Sequence, residues 1–394
     1  MRIRLPLLLG IIALLWAPVG AASGQGDDDA LLDWLAFVPA TPEYVENLVY
    51  FGDLDAWHAS WDVPRVRTWA QVDFLDRESR TAWMFTMPRQ LVPPETLGLQ
   101  YLLMDEQRPF YGFDIFGVDR FIYAEARPDD VTIVEHRLDP AAIGEALVAS
   151  GYEASDVDGG TLYSILDDYE ISLDQLPRVG QFGQLNRIAL ADNYLITGRA
   201  TGPVTGALAA AQGETLSLAD LPAWAAGAKA LDDPALDGTG DLVAAMLWQT
   251  IITDDPLTKL TPRDEQAELF AADPLPAYSL LAFGTRHTEG ASYLVLAVVF
   301  LPDADAAAAA DILADRLQTY TSLVTGQPLA DHWTFERTAA TEIDGWPVAL
   351  AVMRVDDPAP AEPDQPPARV SISWSELVFQ RDLGFLTAGE SLNE

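Results

Sequence analysis

The chain has 394 residues and a formal net charge of −37, because 60 aspartates and glutamates outnumber 23 lysines and arginines. Such a surface repels phosphate backbones, which proteins bind through basic patches, so nucleic-acid binding is excluded as a function. Hydrophobic residues make up 49% of the chain, which is typical of a folded protein. The lack of cysteine excludes disulfides, thiolate metal sites and thiol catalysis.

Residues 1–26 have the pattern of a secretory signal peptide. Arg2 and Arg4 precede an apolar run, and small residues follow in the expected cleavage region, Ala21–Gly26. The run is shorter than the roughly 20 apolar residues that a membrane-spanning helix needs. The sequence therefore predicts a mature protein that is secreted or located in the periplasm or cell envelope. The alternative is an uncleaved N-terminal membrane anchor. After signal removal, no predicted segment is long and apolar enough to span a membrane.

Residues 27–125 form an aromatic-rich, mostly helical segment that we expect to pack on the unit after it. Its predicted elements are a strand near 47–51 and helices near 53–61, 66–75 and 94–105. Core packing is one role for its aromatic rings, but exposed rings can also stack on sugars or bury an apolar ligand. The residues selected as a candidate ligand or partner surface are Trp57, Trp61, Trp83 and Tyr111.

Residues 126–255 are predicted to form a first α+β unit. A strand, "VTIVEHRL", leads into a helix for which Asp139 is a good N-cap and Pro140 suits the first turn. A strand after Asp158-Gly159 and a hairpin around Asp192-Asn193 follow. Two further helices and a last strand, "DLVAAMLWQTII", complete the unit.

Residues 275–394 are predicted to form a second α+β unit. The strand "SYLVLAVVF" precedes a helix opened by Pro302 and Asp303, and Asp344-Gly345 turns into another strand. A hairpin is expected around Asp382, after the Pro-rich loop 356–368. These patterns predict a β-α-β arrangement plus a hairpin.

The two units share a sequence pattern. "DVDGGTLYSIL" (Asp156–Leu166) resembles "EIDGWPVALAV" (Glu342–Val352), and both follow a predicted strand and helix. We therefore expect an α+β protein of two related, ferredoxin-like units, with an internal duplication as the explanation. The alternative is coincidence, since an Asp-Gly turn before a strand is common.

No motif in the sequence predicts chemistry. The four histidines, His58, His136, His287 and His332, are too far apart for a helical pair of metal ligands. Calcium suits an acidic exported protein. Neither the segment around Asp158-Gly159 nor the one around Asp237-Gly238 fits an EF-hand loop. Asp237 and Asp241 are left as weak metal candidates. Nucleophile-elbow, phosphate-loop and dinucleotide-loop patterns are missing, so we predict no catalytic residue and no cofactor.

The leading hypothesis is a non-catalytic binding or interaction module outside the cytoplasmic membrane. Its partner is expected to be a protein or a small apolar or sugar ligand, and the sequence does not distinguish them. Two alternatives remain at this point. One is an extracytoplasmic hydrolase whose catalytic residues come together only in the fold, and the other is a structural protein of the envelope.

Overall fold

The structure, a computed structural model, describes residues 30–98, 104–172, 183–249, 274–288, 290–322, 325–356 and 373–388. The predicted signal peptide and all but the first residue of the Pro-rich loop lie outside these residues. Twelve strands of the described chain form one sheet, and each neighbouring pair is antiparallel. Helices pack on both faces of this sheet, so the predicted α+β class is confirmed.

The strands are short in the first half of the chain and longer in the second. They are β1 (Val49–Asp53), β2 (Val118–Ala124), β3 (Val131–His136), β4 (Glu153–Val157), β5 (Gly160–Ser164), β6 (Arg187–Ala191), β7 (Tyr194–Gly198), β8 (Asp241–Gln249), β9 (Tyr278–Thr288), β10 (Ala291–Phe300), β11 (Thr334–Ile343) and β12 (Trp346–Asp356). Their order across the sheet is β11-β12-β10-β9-β8-β1-β2-β3-β7-β6-β5-β4.

The helices are short before β2 and longer after β3. They are α1 (Ala30–Leu35), α2 (Pro42–Val45), α3 (Leu54–Ser60), α4 (Trp69–Val72), α5 (Arg77–Thr81), α6 (Met87–Leu91), α7 (Glu95–Gly98), α8 (Met104–Tyr111), α9 (Pro140–Ala149), α10 (Thr201–Ala211), α11 (Pro222–Ala230), α12 (Ala306–Thr319) and α13 (Trp374–Gln380). A π-helical turn, Ala82–Thr86, joins α5 to α6. The helix expected at 66–75 is shorter in the structure, where only the single turn α4 forms. A separate helix, α5, begins after Asp76, whose side chain accepts the Ser79 N–H as an N-cap.

Two three-stranded meanders form the middle of the sheet. They are β1–β2–β3 and β8–β9–β10, and they meet through their first strands. In this central pair, Phe51 of β1 lies opposite Ala245 of β8. Hairpins extend the sheet on both sides, β6–β7 and β4–β5 on one and β11–β12 on the other. The aromatic-rich segment thus contributes a strand to the centre of the sheet.

One face of the sheet carries a core that both halves of the chain share. Side chains alternate between the two faces of a strand, and this alternation places Val49 and Phe51 of β1 on the shared core. Helices α1 and α11 cover it with the buried rings of Trp34 and Trp224. The core continues to Leu350 in β12, near the far edge of the sheet.

The opposite face carries two separate cores. In the first-half core, Trp57 of α3 and Ile143 of α9 pack with Phe121 of β2. In the second-half core, Leu313 of α12 and Trp374 of α13 pack on β8, β9, β10 and β12.

The two predicted units share part of their order but not all of it. Each has a meander, then a helix, then a hairpin: β1–β2–β3, α9 and β4–β5 in the first, and β8–β9–β10, α12 and β11–β12 in the second. In the first half, however, the hairpin β6–β7 lies between β3 and β5. This topology does not by itself establish a ferredoxin-like duplication.

The predicted hairpin around Asp382 is wrong. The segment forms helix α13, which begins with a capping box between Ser373 and Glu376. Asp382 follows the helix as a buried carboxylate, which accepts hydrogen bonds from Tyr320 (2.5 Å) and Ser322 (2.5 Å). The Asp-Leu-Gly sequence resembles an exposed turn, but here it anchors the C-terminal segment to the end of α12.

Candidate functional site

Three of the four aromatic residues selected from the sequence lie inside the protein. Trp57, Trp83 and Tyr111 are 0%, 1% and 2% exposed, and all three belong to the first-half core. In this conformation they present no surface to a ligand. Trp61 is the one of the four that is partly exposed.

The Trp61 ring is part of a polar contact between α3 and the sheet. It stacks on His287 with ring centroids 4.3 Å apart. The indole N–H groups of Trp57 (2.9 Å) and Trp61 (3.1 Å) both donate to the side-chain oxygen of Gln90. The side-chain NH₂ group of Gln90 in turn donates to the Ser292 hydroxyl at 3.1 Å. These contacts join α3 and α6 to β9 and β10, so the cluster holds the helices to the sheet.

The two metal candidates, Asp237 and Asp241, lie before and at the start of β8. Asp237 ends a short turn, and its backbone carbonyl accepts a hydrogen bond from Arg337 at 3.3 Å. Asp241 is exposed at the start of β8, opposite His287. Within the described ranges, no group of three or more histidine, aspartate or glutamate side chains is placed to hold a metal ion. The structure therefore adds nothing in favour of calcium at these residues.

Charged side chains concentrate where β1 and β3 end and β2 begins. Arg65 and Arg137 each contact both Asp55 and Asp119, with N–O distances to Asp119 of 3.1 Å and 2.7 Å. The alternating charges compensate one another and tie α3 to β2 and β3. We interpret this quartet as a structural contact.

Asp53, at the end of β1, has an unusual environment for a carboxylate. Its carboxylate accepts the Ala56 N–H at 2.7 Å and lies 3.9 Å from Arg120, which is 2.9 Å from Glu135. Burial raises the pKa of Asp53 to about 6, despite that hydrogen bond and the nearby arginine. Carboxyl groups with a raised pKa are common among general acids, so Asp53 is the residue that would act as the acid if the protein were a hydrolase.

A row of hydroxyl-bearing side chains crosses the sheet from Tyr50, which belongs to the second-half core. Tyr50 of β1 lies opposite Tyr123 of β2, Tyr123 opposite Thr132 of β3, and Thr132 opposite Thr197 of β7. Directly opposite residues point to the same sheet face, so these four side chains form one line, which we call the polar row. The row lies on the sheet face that carries the first-half core, where Val134 of β3 and Leu195 of β7 pack.

Two hydroxyl groups of the polar row are buried and have no hydrogen-bond partner among the described residues. Tyr50 is 3% exposed and Thr197 is 2% exposed. In the part of the chain that the structure describes, neither hydroxyl oxygen has a hydrogen-bond partner. Thr132 lies between them and has one, since its hydroxyl is 3.3 Å from that of Thr96. Buried hydroxyl groups are usually paired, because an unpaired one costs about 1–3 kcal/mol.

An aromatic stack leads from the polar row to the surface. The Tyr50 ring lies 5.8 Å from that of Tyr123 and 6.1 Å from that of Phe379, with interplanar angles of 26° and 25°. Phe379 is in the last turn of α13 and is 57% exposed. Burial, with a smaller contribution from the Glu125 carboxylate, raises the pKa of Tyr50, so its phenol stays protonated. The stack thus has a neutral buried end and an exposed aromatic end.

The sequence reasoning missed this arrangement for two reasons. Tyr50 and Tyr123 come from β1 and β2, which are far apart in the chain, so their pairing cannot be read from a single sequence. Phe379 was placed on a hairpin strand, although the pattern Ser373-x-x-Glu376 predicts a helix start. That capping box is the sequence signal that could have placed Phe379 correctly.

The described residues contain no helix with the length and apolar character needed to cross a membrane. No protein-family model matches the chain, and no curated protein matches it. Solved structures give distant similarities. Crystal form III of TP0453 has a TM-score of 0.35 at 7% identity, covering 82% of this chain and 93% of that one. Form I gives 0.34 at 8% identity with the same coverage, and form IV gives 0.36 at 8%, covering 84% and 96%. Similarity at this level gives no function for the chain.

Proposed function

We propose that this protein is an exported binding protein that takes up a small, uncharged molecule at the polar row of its sheet. The observation that carries the proposal is the pair of unpartnered, buried hydroxyl groups of Tyr50 and Thr197 in the described chain, together with the exposed ring of Phe379, which lies against Tyr50.

Without a ligand, the unpaired hydroxyl groups of the polar row destabilise the folded protein. Each unpaired buried hydroxyl disfavours the folded state, and valine or phenylalanine would fit these positions with no such cost. A bound molecule with its own hydrogen-bonding groups would remove the penalty. Aromatic walls with a few polar groups are typical of small-molecule sites.

Export is proposed from the N-terminal sequence. The N terminus has the signal-peptide pattern, since Arg2 and Arg4 precede an apolar run and small residues follow within Ala21–Gly26. The chain has no cysteine. Fractionation of producing cells and N-terminal sequencing test this part. A full-length N terminus found in the cytoplasm would contradict it.

A hydrolase is the second candidate, because Asp53 has a pKa raised to about 6 by burial. Asp53 and Glu135 both lie near Arg120, which is 3.9 Å from one carboxylate and 2.9 Å from the other. Loss of a measured hydrolytic activity in Asp53→Asn would favour this candidate. An activity that Asp53→Asn retains would exclude Asp53 as its acid.

We also infer that the halves of the sheet arose by duplication. The same order of meander, helix and hairpin occurs twice, and each outer hairpin turns at an Asp-Gly pair, Asp158-Gly159 and Asp344-Gly345. The β6–β7 hairpin would then be an insertion in one copy. An experimental structure in which the two six-element sets do not superpose would contradict this inference.

Thermal unfolding of residues 27–394 tests the binding proposal. After chelator treatment, the chain is heated with calcium, with simple sugars and with uncharged ring compounds, and its tryptophan fluorescence is followed. A ligand at a hundred times its Kd should stabilise the protein by about 2.7 kcal/mol. We expect a saturable increase in Tm with an uncharged organic compound. If no compound changes Tm beyond the effect of added salt, small-molecule binding is wrong.

A further inference from the structure

Phe379 covers the buried end of the aromatic stack. Its ring lies against that of Tyr50, and the Tyr50 hydroxyl beneath is buried without a partner among the described residues. We propose that the ligand is a planar, uncharged aromatic compound that displaces the Phe379 ring from Tyr50 and hydrogen-bonds to the Tyr50 hydroxyl. This inference rests on the proposed binding function and names the class of molecule.

Displacement follows from the spacing of the rings. The centroids of Tyr50 and Phe379 are 6.1 Å apart. A third ring inserted between two others needs about 7 Å, since carbon atoms in contact are separated by about 3.5 Å on each side. No ring can therefore enter between Tyr50 and Phe379 as they stand. A planar molecule of the same shape can take the place of the Phe379 ring.

Phe379 is able to move. Its side chain is 57% exposed, whereas Trp374 and Leu377 of the same helix are 1% and 2% exposed. Helix α13 ends at Gln380, the residue after Phe379. The C-cap that follows, Arg381, has a left-handed backbone with φ of 55°. Rotamer changes of exposed side chains are fast. The ring can turn outward while Trp374 and Leu377 keep the helix in place.

The surroundings select against charge. The polar row supplies hydroxyl groups only, and the second-half core beside Tyr50 is apolar. The charged groups that act on Tyr50 are Glu125 and Arg127, which lie 3.6 Å from each other and compensate in charge. Burying an unpaired charge is costly, so an uncharged compound with a carbonyl or hydroxyl group fits best.

Three probes of one shape test this inference: benzamide, benzoate and benzylamine are uncharged, negative and positive at neutral pH. Titration calorimetry on residues 27–394 compares the natural chain with Phe379→Ala and Tyr50→Phe. We expect benzamide to bind and the two charged probes to bind at least tenfold more weakly. Phe379→Ala should strengthen benzamide binding, because no ring has to be displaced.

Tyr50→Phe should weaken benzamide binding about two- to tenfold, the effect of losing one hydrogen bond. Phe85→Ala removes another exposed ring, 47% exposed on the π-helical turn, and should leave binding unchanged. Circular dichroism confirms that each variant folds. The inference is overturned if benzamide binds equally to all the variants, or if benzoate or benzylamine binds as tightly.

The same experiments distinguish a failure of the binding function from a failure of the aromatic ligand class. If sugars or other uncharged compounds stabilise the natural chain while benzamide does not bind, the binding function stands and the aromatic class is wrong. Benzamide binding to Phe379→Ala alone, with no organic compound binding to the natural chain, would overturn both, because the natural ring would then not be displaced.

Discussion

At the scale of single residues, buried tyrosines differ in whether the fold pairs their hydroxyl groups. The Tyr152 hydroxyl donates to the Leu185 carbonyl at 2.8 Å, whereas Tyr50 has no partner in the described chain. Tyr152→Phe should lower the free energy of unfolding by about 1–2 kcal/mol, because a buried carbonyl loses its donor. Tyr50→Phe should leave it unchanged or raise it by up to about 1 kcal/mol. Urea unfolding of both variants measures the difference. If Tyr50→Phe lowers the free energy of unfolding as much as Tyr152→Phe does, the Tyr50 hydroxyl has a partner and is not available to a ligand.

Asp53 allows a prediction on pH. Burial raises its pKa from an ordinary 3.8 to about 6, so the folded state holds the proton more tightly than the unfolded state. Ionised Asp53 therefore costs stability, and the cost grows as pH rises from about 4 through 6 and stays constant above. Asparagine keeps the N-cap without the charge. Asp53→Asn should be more stable than the natural chain by about 1–2 kcal/mol at pH 8, with little difference at pH 4. A less stable variant at pH 8 would show that attraction to Arg120 outweighs burial.

At the scale of elements, local signals located most turns and helix starts. The hairpin at Asp192-Asn193 and helix α9 after the N-cap Asp139 are confirmed. Helix α12 begins later than predicted, since Asp305 rather than Asp303 caps it, accepting the N–H groups of Ala307 and Ala308. The error at Asp382 has a different cause. An Asp-Leu-Gly sequence is compatible with an exposed turn or a buried anchor, and only packing against α12 decides between them.

At the scale of the whole molecule, the shared core and the β1–β8 pairing join the two halves. Phe51 and Leu350 belong to the same core although they come from opposite halves of the chain. We expect residues 27–394 to unfold in one transition, with tryptophan fluorescence and circular dichroism coinciding. The fragment 275–394 should not fold alone, because it would expose its half of the core and the edge of β9. Two separate transitions would show that the halves are independent.

The sequence by itself determined the α+β class, the hairpin at Asp192-Asn193 and the negative net charge, because these depend on local residue patterns and on summed charge. The tertiary structure alone decided that Trp57, Trp83 and Tyr111 are buried and that Tyr50 meets Phe379. The physical reason is that a single sequence shows which residues of a strand share a face, but not which strand lies beside it. The polar row is built from four strands, and two of their three pairings, β1–β2 and β3–β7, join distant parts of the chain, so only the folded sheet brings it together.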